Sequence, residues 1–163
     1  MAELTVLDTK IAEVLGLAQA AQGAIDKVSK LVDNEMLRSE LEQVKQEAVA
    51  TEERTTQLVE NLDGKKTAVL DKARETKQEA NEMMSTYLGD DADGLDGFEF
   101  LTMAEAAEVG HWQIVGKLNE KARIDELQEI VEWVVPIQAR HFQQALEGSV
   151  RLAAEEDPNE VEG

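Results

Sequence analysis

The sequence predicts an all-α protein, and three observations carry that reading. Ala, Glu, Leu, Lys and Gln are plentiful, while proline occurs twice and aromatics make up 4% of the 163 residues. That balance favours helix nearly throughout. Apolar residues recur at alternating steps of three and four over long stretches, the spacing of one helix face. The breaks between stretches are short turn signals such as Asp33-Asn34 and Asp63-Gly64.

The first helix is expected over about Leu4 to Val32, with the seam Ile11, Val14, Ala18, Ala21, Ile25, Val28, Val32. The second, over about Glu35 to Leu62, has the seam Leu37, Leu41, Val44, Ala48, Thr51, Thr55, Leu58, Leu62. Helices this long joined by so short a turn form an antiparallel hairpin. A third, strongly charged helix runs from about Lys65 to Leu88, with Val69, Leu70, Ala73, Ala80, Met83 and Met84 as its apolar positions. The acidic stretch LGDDADGLDGFEF follows and reads as a loop. Neither register of it satisfies the spacing of a calcium-binding EF-hand loop. A fourth helix is expected over about Gly97 to Ala122 and a fifth over about Asp125 to Glu155, with Asp96 and Asp125 as N-caps or first-turn acids. Pro136 falls inside the fifth and predicts a tolerated kink.

This order gives one domain over residues 1–155, with hairpins at 4–62 and 98–155 and a helical crossover at 63–97. Residues 156–163 read as a frayed acidic tail. A simple up-down-up-down bundle would need only a short link where this chain has the long connection.

The formal net charge is −19, which repels phosphate backbones and argues against a nucleic-acid partner. No apolar run is long enough to span a bilayer, and MAELTVLDTK lacks the basic start and apolar core of a signal peptide. No membrane partner and a cytoplasmic location are therefore the default expectations. The chain has no cysteine, which excludes thiolate sites and disulfides.

Polar groups interrupt the apolar seams of the last two helices. The fourth reads Leu101, Ala104, Glu108, His111, Val115, Leu118, Ala122, with Glu108 and His111 neighbours on one face. The fifth reads Leu127, Ile130, Val134, Ile137, His141, Ala145, with Gln138 beside it a turn before His141. These are the chain's only two histidines. Ionisable groups in a core-facing seam are paired or bind something. At a rise of ~1.5 Å per residue, Glu108 and Gln138 lie within roughly 2 Å of one level, and His111 and His141 within about 3 Å of that layer. The first hairpin can add carboxylates. Glu13 borders the first seam, and Glu47 and Glu52 border the second, height favouring Glu52 as the partner of Glu13. Carboxylates with imidazoles suit hard ions such as iron or manganese. The metal-ligand candidates are thus Glu13, Glu52, Glu108, His111, Gln138 and His141. Trp112 and Trp133 fall off the seams, toward neighbouring helices or a homo-oligomer surface.

The layout, with EVGH at 108–111 and QARH at 138–141, resembles the ferritin-like superfamily: a four-helix bundle with an additional helix in its long crossover. In detail it is most similar to rubrerythrin-like and bacterial stress-associated ferritin-like proteins, over roughly residues 4–154. The most specific stretch is EVGHWQIVGKL, which is similar to a Val-Glu-His-Tyr-Glu-Ile pattern in that family. The resemblance implies iron or manganese handling in stress, with oxygen- or peroxide-dependent metal oxidation if two ions bind. Gly110, Gln113 and Gln138 stand where the family carries carboxylates, and Thr55 and Thr56 lie where a ligand His is expected. A metal-free structural or interaction bundle is the alternative that these departures favour.

Overall fold

The computed structural model describes residues 2–162. Among them it is all-helical: α1 (Val6–Ser29), α2 (Glu35–Glu60), α3 (Lys66–Tyr87), α4 (Gly94–Ala122) and α5 (Asp125–Ala153). Most helix starts have a visible local cause. Thr5 and Asp8 form a reciprocal capping box on α1, and Asp93 and Asp96 form one on α4. Asn34 accepts hydrogen bonds from the amides of Met36 and Leu37 to open α2. The expected acidic loop is shortened by the second capping box, because Asp93 starts α4 three residues earlier than Gly97. Gly64 takes φ +71° in the turn after α2, a conformation open to glycine at no steric cost. Between α4 and α5, Arg123 is left-handed at φ 57°. The Asn119 side chain brackets this turn, accepting from the Ile124 amide at 3.1 Å and donating to its carbonyl at 3.0 Å. α5 continues through Pro136, which sits on its exposed side.

Side-chain pairs set the helix directions. Asp26–Lys45 and Gln22–Glu52 make α1 and α2 antiparallel. Val28 against Gly97, and Glu13 near His111, do the same for α1 and α4. Asn61–Glu126 and Glu47–His141 do so for α2 and α5. α3 instead runs parallel to α1, from Asp8–Lys65 at one end to Lys27 and the Leu88 carbonyl at the other. It lies very close in between: a Cβ on Gly16 would stand 2.4 Å from the Ala73 carbonyl oxygen.

The expected seams of α1 and α2 are buried, Ala21 and Leu62 only partly. On α4 the buried line is Phe98, Leu101, Glu105, Glu108, Trp112, Val115, Asn119. This corrects the expected seam by one residue at alternate turns. Ala104 and His111 move to the flank, and Trp112, expected off the seam toward a neighbouring helix or an oligomer surface, enters the core at 1% exposure. On α5, Gln138 replaces Ile137 in the buried line. Trp133 is half-buried beneath the Arg54 guanidinium, 4.4 Å from its ring centre. Beyond Ala153 the chain makes only turns, such as Glu160 N–H to the Asp157 carbonyl.

The apolar core is split in two. One cluster gathers Ile11, Leu15, Leu58, Trp112, Val115 and Leu127; the other gathers Ile25, Val28, Leu37, Leu41, Phe98 and Leu101. A polar layer lies between them.

Candidate metal centre in the core

The layer is built from three helices. α2 contributes Thr51 and Thr55, both fully buried, with Glu47 at its edge. Each threonine returns its hydroxyl to its own helix, Thr51 to the Glu47 carbonyl at 2.8 Å and Thr55 to the Thr51 carbonyl at 2.7 Å. They therefore offer no proton to the rest of the layer. α4 contributes Glu105 and Glu108, at 3% and 4% exposure, one turn apart on the inward face. α5 contributes Gln138 at 0% and His141 at 2%.

His141 is the hub. Its Nε2 lies 3.3 Å from Glu47 Oε1, and its Nδ1 lies 3.6 Å from Glu105 Oε2. Glu47 is held in turn by the Arg140 guanidinium. A carboxylate accepts, so Nε2–H donates to Glu47, while Nδ1 faces Glu105 Oε2. Glu105 Oε2 has no hydrogen-bond partner, and neither do the two polar atoms of Gln138. The 3.6 Å between His141 Nδ1 and Glu105 Oε2 is longer than a hydrogen bond.

Glu108 is held well above the usual carboxylate range. Burial is the main cause, and the neighbouring Glu105 carboxylate adds to it; the Gln138 amide pulls weakly the other way. That amide lies near the carboxyl without completing a hydrogen bond of ordinary geometry. A small cavity of about 10 Å³ touches Glu105, His141 and Gln144.

The expected ligands divide into three groups. Glu108, Gln138 and His141 share the buried layer. Glu13 and His111 meet each other at the flank, Glu13 Oε2 lying 3.5 Å from His111 Nε2. There the His111 side chain is 33% exposed, its Nδ1–H donates to the Ala107 carbonyl at 2.8 Å, and Lys10 also pairs with Glu13. Glu52 turns away to accept a hydrogen bond from Gln22, beside Arg74 and Lys77 of α3. Glu47 is the helix-two carboxylate that reaches His141. Glu105 was not among the sequence candidates. Its signal was available, because a seam through Phe98 and Trp112, two of the three large aromatic residues of that helix, passes through it. Among the described residues no three His, Asp or Glu side chains come together as a ready metal-binding group.

No family model matches the chain, and neither curated proteins nor solved structures yield a match. None of the helices is long and apolar enough among the described residues to cross a membrane.

Proposed function

We propose that this chain is a ferritin-like four-helix bundle that binds one divalent iron or manganese ion in its polar core layer. The bundle reading is supported by the directions of α1, α2, α5 and α4, each antiparallel to its neighbours, with α3 carrying the chain back along α1. That is the layout of a bundle with one long crossover.

The carrying observation for the ion is the unpartnered Glu105 Oε2 facing His141 Nδ1 at 3.6 Å; in the neutral ring that donates Nε2–H to Glu47, both of these atoms are acceptors. Metal–ligand bonds of about 2 Å place two ligands of one ion no more than about 4 Å apart. A cation between them satisfies both groups. Glu108, one turn along, turns its carboxyl toward them to complete a carboxylate–imidazole donor set, with Gln138 as a neutral oxygen donor. Such a set suits iron and manganese. Glu47 acts through His141, fixing the tautomer that leaves Nδ1 free, and Arg140 anchors Glu47. The ion would supply redox or Lewis-acid chemistry; the chain supplies two carboxylates, one imidazole and one amide oxygen.

Anaerobic titration of the purified chain with Fe(II) or Mn(II), followed by calorimetry, tests this. One saturable ion per chain is expected, lost in Glu105→Gln and His141→Ala and kept in Glu52→Gln, with helix content checked for each variant. No saturable binding, or binding that both core variants retain, would reject the metal and leave a metal-free structural or interaction bundle.

A further inference from the structure

A second feature lies between α1, α3 and α4 and reaches the polar layer only at Glu108. α1 is pinned to α3 by the close approach at Gly16, and to α4 by Gly97, where a Cβ would stand 3.0 Å from Val28. Between these two contacts six of the facing residues are alanine: Ala20, Ala21 and Ala24 from α1, Ala80 from α3, Ala104 and Ala107 from α4. Helices held at both ends and lined with alanine in the middle leave a gap, here a cavity of about 310 Å³. That is at the small end of ligand pockets, which run roughly 300–1,000 Å³.

We infer that this cavity binds an uncharged small molecule with a hydrocarbon body and at most one hydroxyl. Three observations select that class. The entrance is apolar and open, Met83 and Met103 standing 68% and 49% exposed at the rim. The cavity reaches inward to side chains that are almost fully buried, Ala24 at 5% and Glu108 at 4%, so the occupant must be slender enough to enter between two helices. No lysine or arginine lines it, and the His111 ring is already engaged by the Ala107 carbonyl and Glu13. An anionic head would find no partner there and would meet a chain of net charge −19. Asn81 is the one neutral polar side chain on the wall, able to meet a hydroxyl. Flexible methionines adapt to such a body.

The probe is N-phenyl-1-naphthylamine, an uncharged dye that brightens in apolar surroundings, titrated into the full chain without metal. The metal proposal therefore stands or falls separately. Saturable binding of one dye per chain is expected. Decan-1-ol should displace it, and decanoate should not. Ala104→Phe, which fills the cavity, should weaken binding by about tenfold or more. Ala106→Phe, on the exposed side of the same helix, should leave it unchanged. Ala21→Leu serves as a second filling variant if Ala104→Phe loses its helical circular dichroism. Dye binding unaffected by both filling variants, or displaced equally by decanoate, would overturn the inference. So would dye bound only by a dimer in sedimentation, which would make the cavity part of a contact between copies.

Discussion

His141 on α5 stands between two carboxylates from different helices, Glu47 of α2 at 3.3 Å from Nε2 and Glu105 of α4 at 3.6 Å from Nδ1. The two sides do different work if an ion binds. Glu105 would touch it, whereas Glu47 would act only through the ring. Removing a partner behind a metal-bound histidine costs about 10–100-fold in affinity. Glu47→Gln is therefore expected to weaken Fe(II) or Mn(II) by that factor with stoichiometry kept, and Glu105→Gln to abolish saturable binding. Equal losses in an anaerobic titration would contradict this division of roles.

Glu108 predicts an unusual pH dependence for the metal-free chain. Burial, and then Glu105, raise its folded pKa well above the ordinary value of 4.5. The unfolded chain then gives up this proton first as pH rises. Between that ordinary value and the raised one the folded state holds more protons, so stability falls with increasing pH. Glu108→Gln should flatten this slope and raise the urea midpoint above that of the parent at about pH 7–8, with little difference near pH 4. Metal loading should release a proton from the parent protein. A parent whose midpoint rises across the same window, relative to Glu108→Gln, would show that the carboxyl is stabilised as an anion.

Asp8 has the opposite sign. Burial pushes its carboxyl up, but Lys65 at 2.7 Å and the Thr5 amide at 2.8 Å outweigh that and hold it below its usual range. A depressed acid contributes stability above its unfolded pKa, and the contribution is lost as pH falls through the folded value. Asp8 also closes the capping box of α1 and ties it to the turn before α3. Asp8→Asn is expected to cost about 1–2 kcal/mol at neutral pH. The parent and the variant should converge below about pH 3 in urea melts.

The helix pattern was highly legible because long seams with alternating steps leave few alternatives, and α1 and α2 bury nearly every residue expected of them. The site was half legible, for a definable reason. On α4 two seams share Leu101, Glu108 and Val115 and differ by one residue elsewhere. One buries Ala104 and His111, the other Glu105 and Trp112. Periodicity alone cannot separate them, but the apolar area of Trp112 and Phe98 does. The histidine in EVGH invited the first choice, and packing took the second. Glu52 against Glu47 is a similar case. Relative height along straight helices favours Glu52, yet which flank of α2 faces α5 is decided by the rotation of the helix, which only the three-dimensional packing reveals.

Two glycines test how closely the helices pack. Gly148 lies under the Phe98 ring, whose nearest carbon would stand 2.3 Å from an added Cβ. Gly148→Ala must move Phe98, itself 2% exposed, and should cost about 1–3 kcal/mol. Gly23 is exposed within α1 with nothing within 4 Å of an added Cβ. Gly23→Ala should gain up to about 1 kcal/mol from helix propensity. Thermal melts should therefore move in opposite directions for the same chemical change. Matching shifts would mean that α4 and α5 are not packed as tightly as Phe98 on Gly148 requires.

Gln138 separates a metal layer from a merely polar one. It is fully buried, and neither amide atom has a hydrogen-bond partner. Left as it is, such a group destabilises the core by about 1–3 kcal/mol. Gln138→Leu removes both orphaned atoms at similar size, so the metal-free chain should melt higher, by up to a few degrees. Gln138→Glu does the reverse, adding a third carboxyl beside Glu105 and Glu108 in a buried layer. It should lower the metal-free melting temperature. If the layer closes on a cation, it should also raise Fe(II) affinity by about tenfold or more, since a charged oxygen replaces a neutral one. The combination distinguishes the readings. A Leu variant that is stabler and binds metal as the parent does places Gln138 outside the donor set. A Glu variant that gains no affinity while losing stability means that the layer is held together by shared protons instead of an ion.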